Sequence, residues 1–298
     1  MELEGKLIRK RTPGAGIVPG MSWREKGEAA WLTFPEIEKT GVVRHLMSTR
    51  LGGVSEGELG TMNLSFSRGD RRENVEENFR RIAALLDCSV QDFVFSDQTH
   101  TVNVRRVTAA DRGKGIVRPR DYQDVDGLIT DEPGIVLSTF YADCVPLLFV
   151  DPVRRAVGLS HSGWRGTAGG MGAVTVRAMQ EAFGCRPENI LAGIGASICK
   201  DCYEVSEDVA DAFYALFDRP GMDRVPVRAE DVLEAKGGGK YQLDLWRANE
   251  AVCLWAGIRP EHISVTDVCT CCNPELLFSH RASGGRRGNL GMFVKLLP

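Results

Sequence analysis

The chain has 298 residues, of which 43% are hydrophobic and 26% carry a charge. These proportions are typical of a globular protein with a sizeable core and argue against extended disorder. The formal net charge of -3 and the pI near 6.0 provide no basic surface for a nucleic acid polymer. No run of about eighteen apolar residues predicts a membrane span, and the N-terminal segment lacks the apolar stretch of a secretory signal. We therefore expect a cytoplasmic protein.

Apolar runs predict strands at 102–107, 127–130, 135–139, 145–150, 156–160, 190–194, 263–267 and 290–296. Helices are predicted between them: one with Val75, Phe79, Ile82 and Leu86 on its apolar face, one with Val174, Ala178 and Ala182, one starting after Ser206, and one from Asp244 to Gly257. No linker or internal repeat divides the chain. We expect one domain of the α/β (α+β) class, with helices covering the faces of its sheets.

Two apolar runs joined by a turn signal predict a β-hairpin between Cys144 and His161. If residues 151–154 form the loop, these two residues lie opposite each other. Opposed residues on antiparallel strands have Cβ atoms about 4.5–5.5 Å apart, so both side chains can hold one metal ion. Two imidazoles and one thiolate suit zinc and leave a fourth position open, with His100 as the third ligand. The simpler interpretation is a structural histidine beside a buried cysteine.

Three polar, Gly-rich segments resemble anion-binding loops. Residues 163–170 lead into a predicted helix, whose N-terminal N–H groups attract phosphate; Arg165 and Gly166 lie in this segment. Ser48 and Arg50 belong to a second segment, which lacks the Lys and the spacing of a P-loop. The third is the Arg-rich stretch 279–288. Taken alone, each is better explained as an ordinary loop, but three of them around one metal predict a reaction that uses phosphate.

The nine cysteines are an odd number and do not predict a disulfide framework. Cys199 and Cys202 form one cluster, and Cys269, Cys271 and Cys272 form another. Together they resemble a structural zinc site. The irregular spacing and the lack of zinc-knuckle turns favour buried thiols instead, and this is our expectation.

Longer motifs identify a family resemblance. They are STRLGGVS, MNLSFSRGD, SDQTH, DVDGLIT, ADCVPLLFVD, SHSGWRG, IGASICKDCYEV and CTCCNPELLFSHR, and they extend from about Ser48 to the C-terminus. They resemble the laccase-domain family, formerly called multicopper polyphenol oxidases and now regarded as multifunctional purine nucleoside phosphorylases. The resemblance implies mixed β-sheets that form a sandwich-like core flanked by helices. It also implies a catalytic domain over 41–298, after an N-terminal extension and first strand over 1–40.

The resemblance further implies one zinc ion, with copper as the alternative metal, on His100, Cys144 and His161. The implied partners are inorganic phosphate and the purine nucleosides adenosine, inosine, guanosine and S-methyl-5′-thioadenosine. Phosphorolysis of these nucleosides and deamination of adenosine are the implied activities, in a monomer or weak homo-oligomer. We expect substrate or phosphate to be bound by Ser48, Arg50, Arg165 and Gly166. Asp143 is expected to orient a metal ligand or to move a proton.

Other functional classes stay open on the sequence. A metal-free cysteine hydrolase would use Cys144 as nucleophile and His161 or His100 as base. A copper-dependent polyphenol oxidoreductase would need several coppers, for which the five histidines of the chain are too few. A metal-storage or redox-sensing protein would use the cysteines without turning over a nucleoside.

Overall fold

The computed structural model describes residues 4–10 and 20–298. Its strands are β1 (Ser22–Lys26), β2 (Ala29–Thr33), β3 (Val43–Ser48), β4 (Phe93–Phe95), β5 (Val104–Arg106), β6 (Gly127–Thr130), β7 (Val136–Tyr141), β8 (Val145–Asp151), β9 (Ala156–Ser162), β10 (Leu191–Ile194), β11 (Glu204–Ser206), β12 (Leu233–Gly237), β13 (Lys240–Leu243), β14 (Ile263–Val265) and β15 (Leu290–Leu296). Its helices are α1 (Pro35–Glu38), α2 (Arg72–Leu86), α3 (Trp164–Gly169), α4 (Met171–Phe183), α5 (Glu207–Phe217), α6 (Ala229–Val232), α7 (Leu245–Trp255) and α8 (His280–Ser283).

Two six-stranded mixed sheets lie at the centre of the molecule. The first has the order β1-β2-β3-β15-β7-β4, and the second has the order β14-β10-β8-β9-β6-β5. Their inner faces share one apolar core, in which Leu137 and Val294 of the first sheet belong to the same buried cluster as Leu148 and Leu159 of the second. This burial removes apolar surface from water and holds the sheets together. The expected mixed-sheet, sandwich-like core is confirmed.

Helices cover the outer face of each sheet. On the first sheet, Phe79 of α2 packs against Phe93, Phe95 and Phe293 with ring centroids 5.0–6.4 Å apart. On the second sheet, α4 and α7 share a buried cluster with Phe149 of β8. The four helices predicted from periodicity correspond to α2, α4, α5 and α7. Each buries an apolar face as an amphipathic helix does.

The buried face of α4 differs from the predicted one. Val174 and Ala178 are only half-buried, whereas Val176 and Met179 are fully buried. The reason lies in β9, where a Cβ added to Gly158 would come within 3.0 Å of Met179. The missing side chain lets the helix approach the sheet closely at this point, and that contact selects the packed face.

The hairpin of β8 and β9 forms as predicted, but the predicted register differs from the observed one by two residues. His161 pairs with Pro146 rather than with Cys144, and Asp151 pairs with Ala156. The loop is 152–155, because an Asp151 oxygen accepts hydrogen bonds from the N–H groups of residues 153 and 154, and Arg155 adopts a φ of 50°. A two-residue shift preserves the face on which a side chain lies. Cys144 and His161 therefore stay on the same side of the hairpin as diagonal neighbours.

The segment before residue 41 contributes two described strands, β1 and β2, rather than the single strand expected. They extend the first sheet at its edge, where β2 pairs with β3. Residues 1–3 and 11–19 of the expected N-terminal extension lie outside the described residues. Among the helices of the described residues, none has the length and apolar character that a membrane span requires.

Candidate active site and metal centre

His100, Cys144 and His161 meet at one point of the molecule. Their possible ligand atoms all lie within 4.8 Å of one another. His161 lies in β9, Cys144 immediately precedes β8, and His100 lies in the loop before β5 with a φ of 68°. His161 is buried, Cys144 is half-buried and His100 is exposed. The site is thus anchored in the second sheet and open to solvent on the side of His100.

A buried carboxylate holds two of these residues in place. Oδ1 of Asp126 lies 2.7 Å from Nδ1 of His161, and the Asp126 side chain is fully buried. The same carboxylate accepts hydrogen bonds from the backbone N–H groups of Thr99, His100 and Thr101 at 2.9–3.2 Å. A carboxylate at Nδ1 places the proton there and leaves the Nε2 lone pair free for a metal.

Asp126 was not predicted from the sequence. It lies in the motif DVDGLIT, directly before strand β6. An acidic residue at the start of a buried strand is the signal that could have identified it, because a buried charge needs hydrogen-bonding partners. Burial raises the pKa of Asp126, but the hydrogen bond and charge of His161, together with the backbone N–H groups of Thr99 and Thr101, outweigh it and hold the pKa below its usual value.

Charge interactions favour a thiolate at Cys144. Burial raises the pKa of this thiol, but the neighbouring His161 charge and hydrogen bonds from His100 and His161 lower it to about 6. Burial likewise lowers the pKa of His161, and Cys144 and Asp126 together raise it to about 9. A deprotonated thiol beside two imidazoles is the donor set that zinc prefers, so the three residues fit a zinc ion.

Gly163 permits the close approach of these ligands. A Cβ added there would lie 3.0 Å from Cδ2 of His100 and 3.1 Å from Sγ of Cys144. The φ of Gly163 is -70°, which any residue can adopt. Space, and not backbone conformation, therefore requires glycine at this position.

The three candidate ligands line a cavity of 420 Å³. Aromatic and basic side chains share the lining, among them Phe66, Phe95, Phe140, Arg68, Arg120 and Arg287. A volume of this size suits a small molecule such as a nucleoside, since ligand pockets measure about 300–1,000 Å³. The lining therefore offers flat apolar surface, positive charge and a potential metal within one space.

In the cavity, the charge of Arg68 acts on the guanidinium group of Arg287. Arg287 is half-buried, its Nε has no hydrogen-bond partner, and burial together with the charge of Arg68 lowers its pKa to about 10. Arg120 differs, because it forms an ion pair with Asp97 at 2.6 Å. Arg68 and Arg287 are thus the arginines of this cavity best placed to bind an anion.

Of the three predicted anion-binding segments, only 279–288 contributes a residue to the cavity lining, namely Arg287, whereas Ser48 and Arg50 lie elsewhere. Arg50 donates hydrogen bonds to the carbonyls of Gly60 and Pro274 at 2.8 and 2.6 Å and lies over the ring of Phe278. Ser48 is buried and accepts a hydrogen bond from the N–H of Gly291. Arg50 and Ser48 therefore make structural contacts and are not part of the cavity lining.

The predicted helix-start site is also displaced from the cavity. Arg165 is exposed and stacks on the ring of Trp164 at 4.2 Å. Gly166 lies within α3, which has only six residues. Neither residue is part of the cavity lining.

Asp143 is buried beside Cys144 but points away from the histidines. Its carboxylate accepts hydrogen bonds from the Thr270 hydroxyl at 2.6 Å and from the N–H of Arg281 at 2.7 Å. Its carbonyl accepts from the N–H of Ile198 at 3.0 Å. Asp143 thus joins the chain before Cys144 to two distant loops, while Asp126 makes the contact to a histidine that we expected of Asp143.

Known proteins are similar to this chain in sequence and in fold. The family model described as multi-copper polyphenol oxidoreductase laccase matches residues 44–297. A relative from Bacillus subtilis, named purine nucleoside phosphorylase YlmD, is 37% identical over 251 residues, which are 83% of this chain and 86% of the relative.

Two solved structures have the same fold. The structure of a hypothetical protein YfiH from Bacillus licheniformis has a TM-score of 0.83 and 33% identity, and the match covers 92% of this chain and 98% of that one. The structure of YlmD from Geobacillus stearothermophilus has a TM-score of 0.81 and 33% identity, and the match covers 93% and 99%. The chain therefore belongs to the multi-copper polyphenol oxidoreductase laccase family.

Proposed function

We propose that this protein is a purine nucleoside phosphorylase that holds one zinc ion on His100, Cys144 and His161. The observation that carries the proposal is the convergence of these residues on a cavity that also contains Arg68 and Arg287, two arginines that form no ion pair with a carboxylate of the described residues. The name of the Bacillus subtilis relative supports the same activity. We propose adenosine, inosine, guanosine and S-methyl-5′-thioadenosine as substrates, and a cytoplasmic location stays a prediction.

The donor set favours zinc over an array of coppers. Within the described residues, His/Cys/Asp/Glu side chains form two groups that could hold a metal, and only this one contains histidine. Copper oxidation of phenols needs several ions with many imidazole ligands, so single-copper binding is the remaining copper alternative. A bound zinc ion supplies Lewis-acid polarisation of an oxygen and lowers the pKa of a water to about 7.

The arginines are proposed to bind inorganic phosphate. Two guanidinium groups can each donate paired hydrogen bonds to phosphate oxygens. Phosphate would then attack C1′ of the ribose, breaking the bond to the purine and yielding the free base and ribose 1-phosphate. In this scheme Arg68 and Arg287 hold the attacking group, a role that the sequence suggested for Arg50 and Arg165.

The aromatic side chains are proposed to hold the purine. Phe95 and Phe140 line the cavity with ring centroids 4.8 Å apart in an edge-to-face arrangement. Such rings offer a flat apolar surface on which a base can stack. Asp126 acts as a positioning residue for His161, and Asp143 as a positioning residue for the chain at Cys144. Adenosine deamination is proposed as a second activity of the same site, because it needs an activated water near a bound purine.

The test measures products and metal together. Inosine is supplied with and without phosphate, adenosine is supplied separately, and zinc is quantified in protein purified without added metal. From inosine we expect hypoxanthine and ribose 1-phosphate in equal amounts, and from adenosine we expect both adenine and inosine. Cys144→Ala should lower both activities about 100-fold or more. Cys88→Ser is the matched control, since this half-buried thiol lies at the end of α2.

Two outcomes contradict the proposal. Base release at an equal rate without phosphate shows a hydrolase. Full activity in metal-free protein, unchanged by chelators, favours the cysteine hydrolase. The lowered pKa of Cys144 is the observation that supports this alternative.

A further inference from the structure

The second group of candidate metal-binding side chains consists of four cysteines that are not part of the cavity lining. Cys199, Cys202, Cys269 and Cys272 place their Sγ atoms within 4.8 Å of one another, and none of them is in a disulfide. Cys199 and Cys269 are buried, while Cys202 and Cys272 are half-buried. The neighbouring Cys271 does not belong to the group. We infer that these four cysteines hold a structural zinc ion.

The spacing of the sulfurs fits a single ion. Zinc–sulfur bonds of about 2.3 Å in a tetrahedron separate the sulfurs by about 3.8 Å. The Sγ atoms of Cys202 and Cys272 are 3.5 Å apart, and the whole group lies within 4.8 Å. An iron–sulfur cluster places several atoms between its thiolates and needs wider spacing. Disulfides would bring the sulfurs together only in pairs, whereas here all four converge.

The backbone around the group also brings the sulfurs together. The N–H of Cys199 donates to Sγ of Cys269 at 3.2 Å, and the N–H of Cys202 turns back to the carbonyl of Cys199 at 3.1 Å. The second bond closes a tight turn, which brings both sulfurs of the Cys199-x-x-Cys202 pair to the same side. This turn was not evident from the sequence.

The zinc ion would link two loops that support the backbone at Cys144. Ile198 of the first loop and Thr270 of the second both bind Asp143, the residue before Cys144. Asp143 has a φ of 86°, which is uncommon for a residue with a side chain and needs support from its surroundings. The two loops also pair directly, through a bridge between Ser197 and Cys269. The zinc site would thus stabilise the backbone from which Cys144 reaches the cavity.

The test separates this ion from the one proposed at Cys144. Zinc is measured in untagged protein from zinc-supplied cells after removal of loosely bound metal. We expect Cys144→Ala to retain one equivalent of zinc, and Cys144→Ala with Cys272→Ser to retain none. Cys144→Ala with Cys271→Ser is the matched control and should keep its equivalent. Complete loss of zinc in Cys144→Ala alone, or full retention after Cys272→Ser, overturns the inference.

A second measurement needs no substitution among the four cysteines. Cobalt(II) is exchanged into Cys144→Ala, where four thiolates around it produce intense tetrahedral visible bands and thiolate charge-transfer absorption. Absence of these bands overturns the inference even if Cys272→Ser fails to fold. Failure of the proposed function gives a different result. If the site at His100 binds no zinc, the wild type contains one equivalent, and Cys144→Ala contains the same equivalent.

Discussion

Nδ1 of His161 lies 2.7 Å from Oδ1 of Asp126, and the same carboxylate accepts the N–H of His100. One buried side chain therefore sets the position of two of the three candidate ligands. Asp126→Asn keeps the shape but removes the charge, so we expect zinc affinity at this site to fall about 10- to 100-fold. Competition with a chromophoric chelator measures it.

Asp124→Asn is the control for that substitution. Asp124 is exposed and accepts a hydrogen bond from the Thr99 hydroxyl in the same loop, without contact to His161. Its φ of 54° suits asparagine as well as aspartate. Equal zinc affinities in the two variants would show that the carboxylate at His161 is unimportant.

Arg68→Gln and Arg287→Gln are expected to raise the KM for phosphate. A lost hydrogen bond to a charged group costs about 1.5–3 kcal/mol, which corresponds to about 10- to 100-fold. The KM for the nucleoside should change much less. Steady-state kinetics with each substrate varied in turn measures both. Arg80→Gln, which removes a guanidinium paired with Glu77 on α2, is the control, and a change of the same size there would refute the assignment.

Gly163→Ala tests the space between the ligands. The added methyl group meets His100 and Cys144 at 3.0 and 3.1 Å, so one of them must move. We expect kcat/KM to fall about tenfold or more, since small displacements of reacting groups are costly. Gly166→Ala lies in the same turn, with its nearest contact at 3.5 Å. If Gly166→Ala is the more damaging change, the sequence-based assignment of Gly166 to substrate binding regains support.

His45 is expected to make stability depend on acid pH. It is fully buried, its Nε2 accepts the N–H of Phe34 at 2.9 Å, and burial lowers its pKa from 6.5 to about 4. Between pH 6.5 and about 4, the unfolded chain therefore binds a proton at His45 that the folded chain does not bind. The contribution of His45 to the free energy of unfolding is therefore fully present above pH 6.5. It falls by about 3 kcal/mol as the pH decreases towards 4.

His45→Gln measures this contribution. Glutamine can accept the same N–H but does not titrate in this range. Denaturant unfolding at several pH values should show a shallower acid decline in His45→Gln than in the wild type. Parallel curves for the two proteins would contradict the assignment to His45.

Local patterns in the chain were sufficient for much of the architecture. The periodicity around Phe79 predicted α2, and continuous apolar runs predicted β8, β9 and β15, because long buried elements carry a strong local signal. The strands β3, β4 and β11 to β13 escaped prediction. β11 and β12 are largely exposed, and β4 has only three residues. The apolar run of the buried strand β3 is interrupted by Arg44 and His45, so tertiary pairing rather than composition makes these segments strands.

The candidate site shows the same division. Motif and strand position indicated His100, Cys144 and His161, and the hairpin was predicted even though its register was not. Asp126 became visible only in the fold, because its partners come from distant parts of the chain. Arg287 lies in the stretch 279–288 that the sequence already marked as a possible anion-binding loop, but its place in the cavity lining is set by the fold.

The cysteine group is the clearest case. Cys202 and Cys272 are separated by 70 residues, yet their sulfurs lie 3.5 Å apart. The local sequence shows which residues are apolar, which favour turns and which can bind a metal, since these are properties of single side chains and their neighbours. Which of them meet is decided by sheet order and loop packing, through contacts that no short stretch of the chain contains.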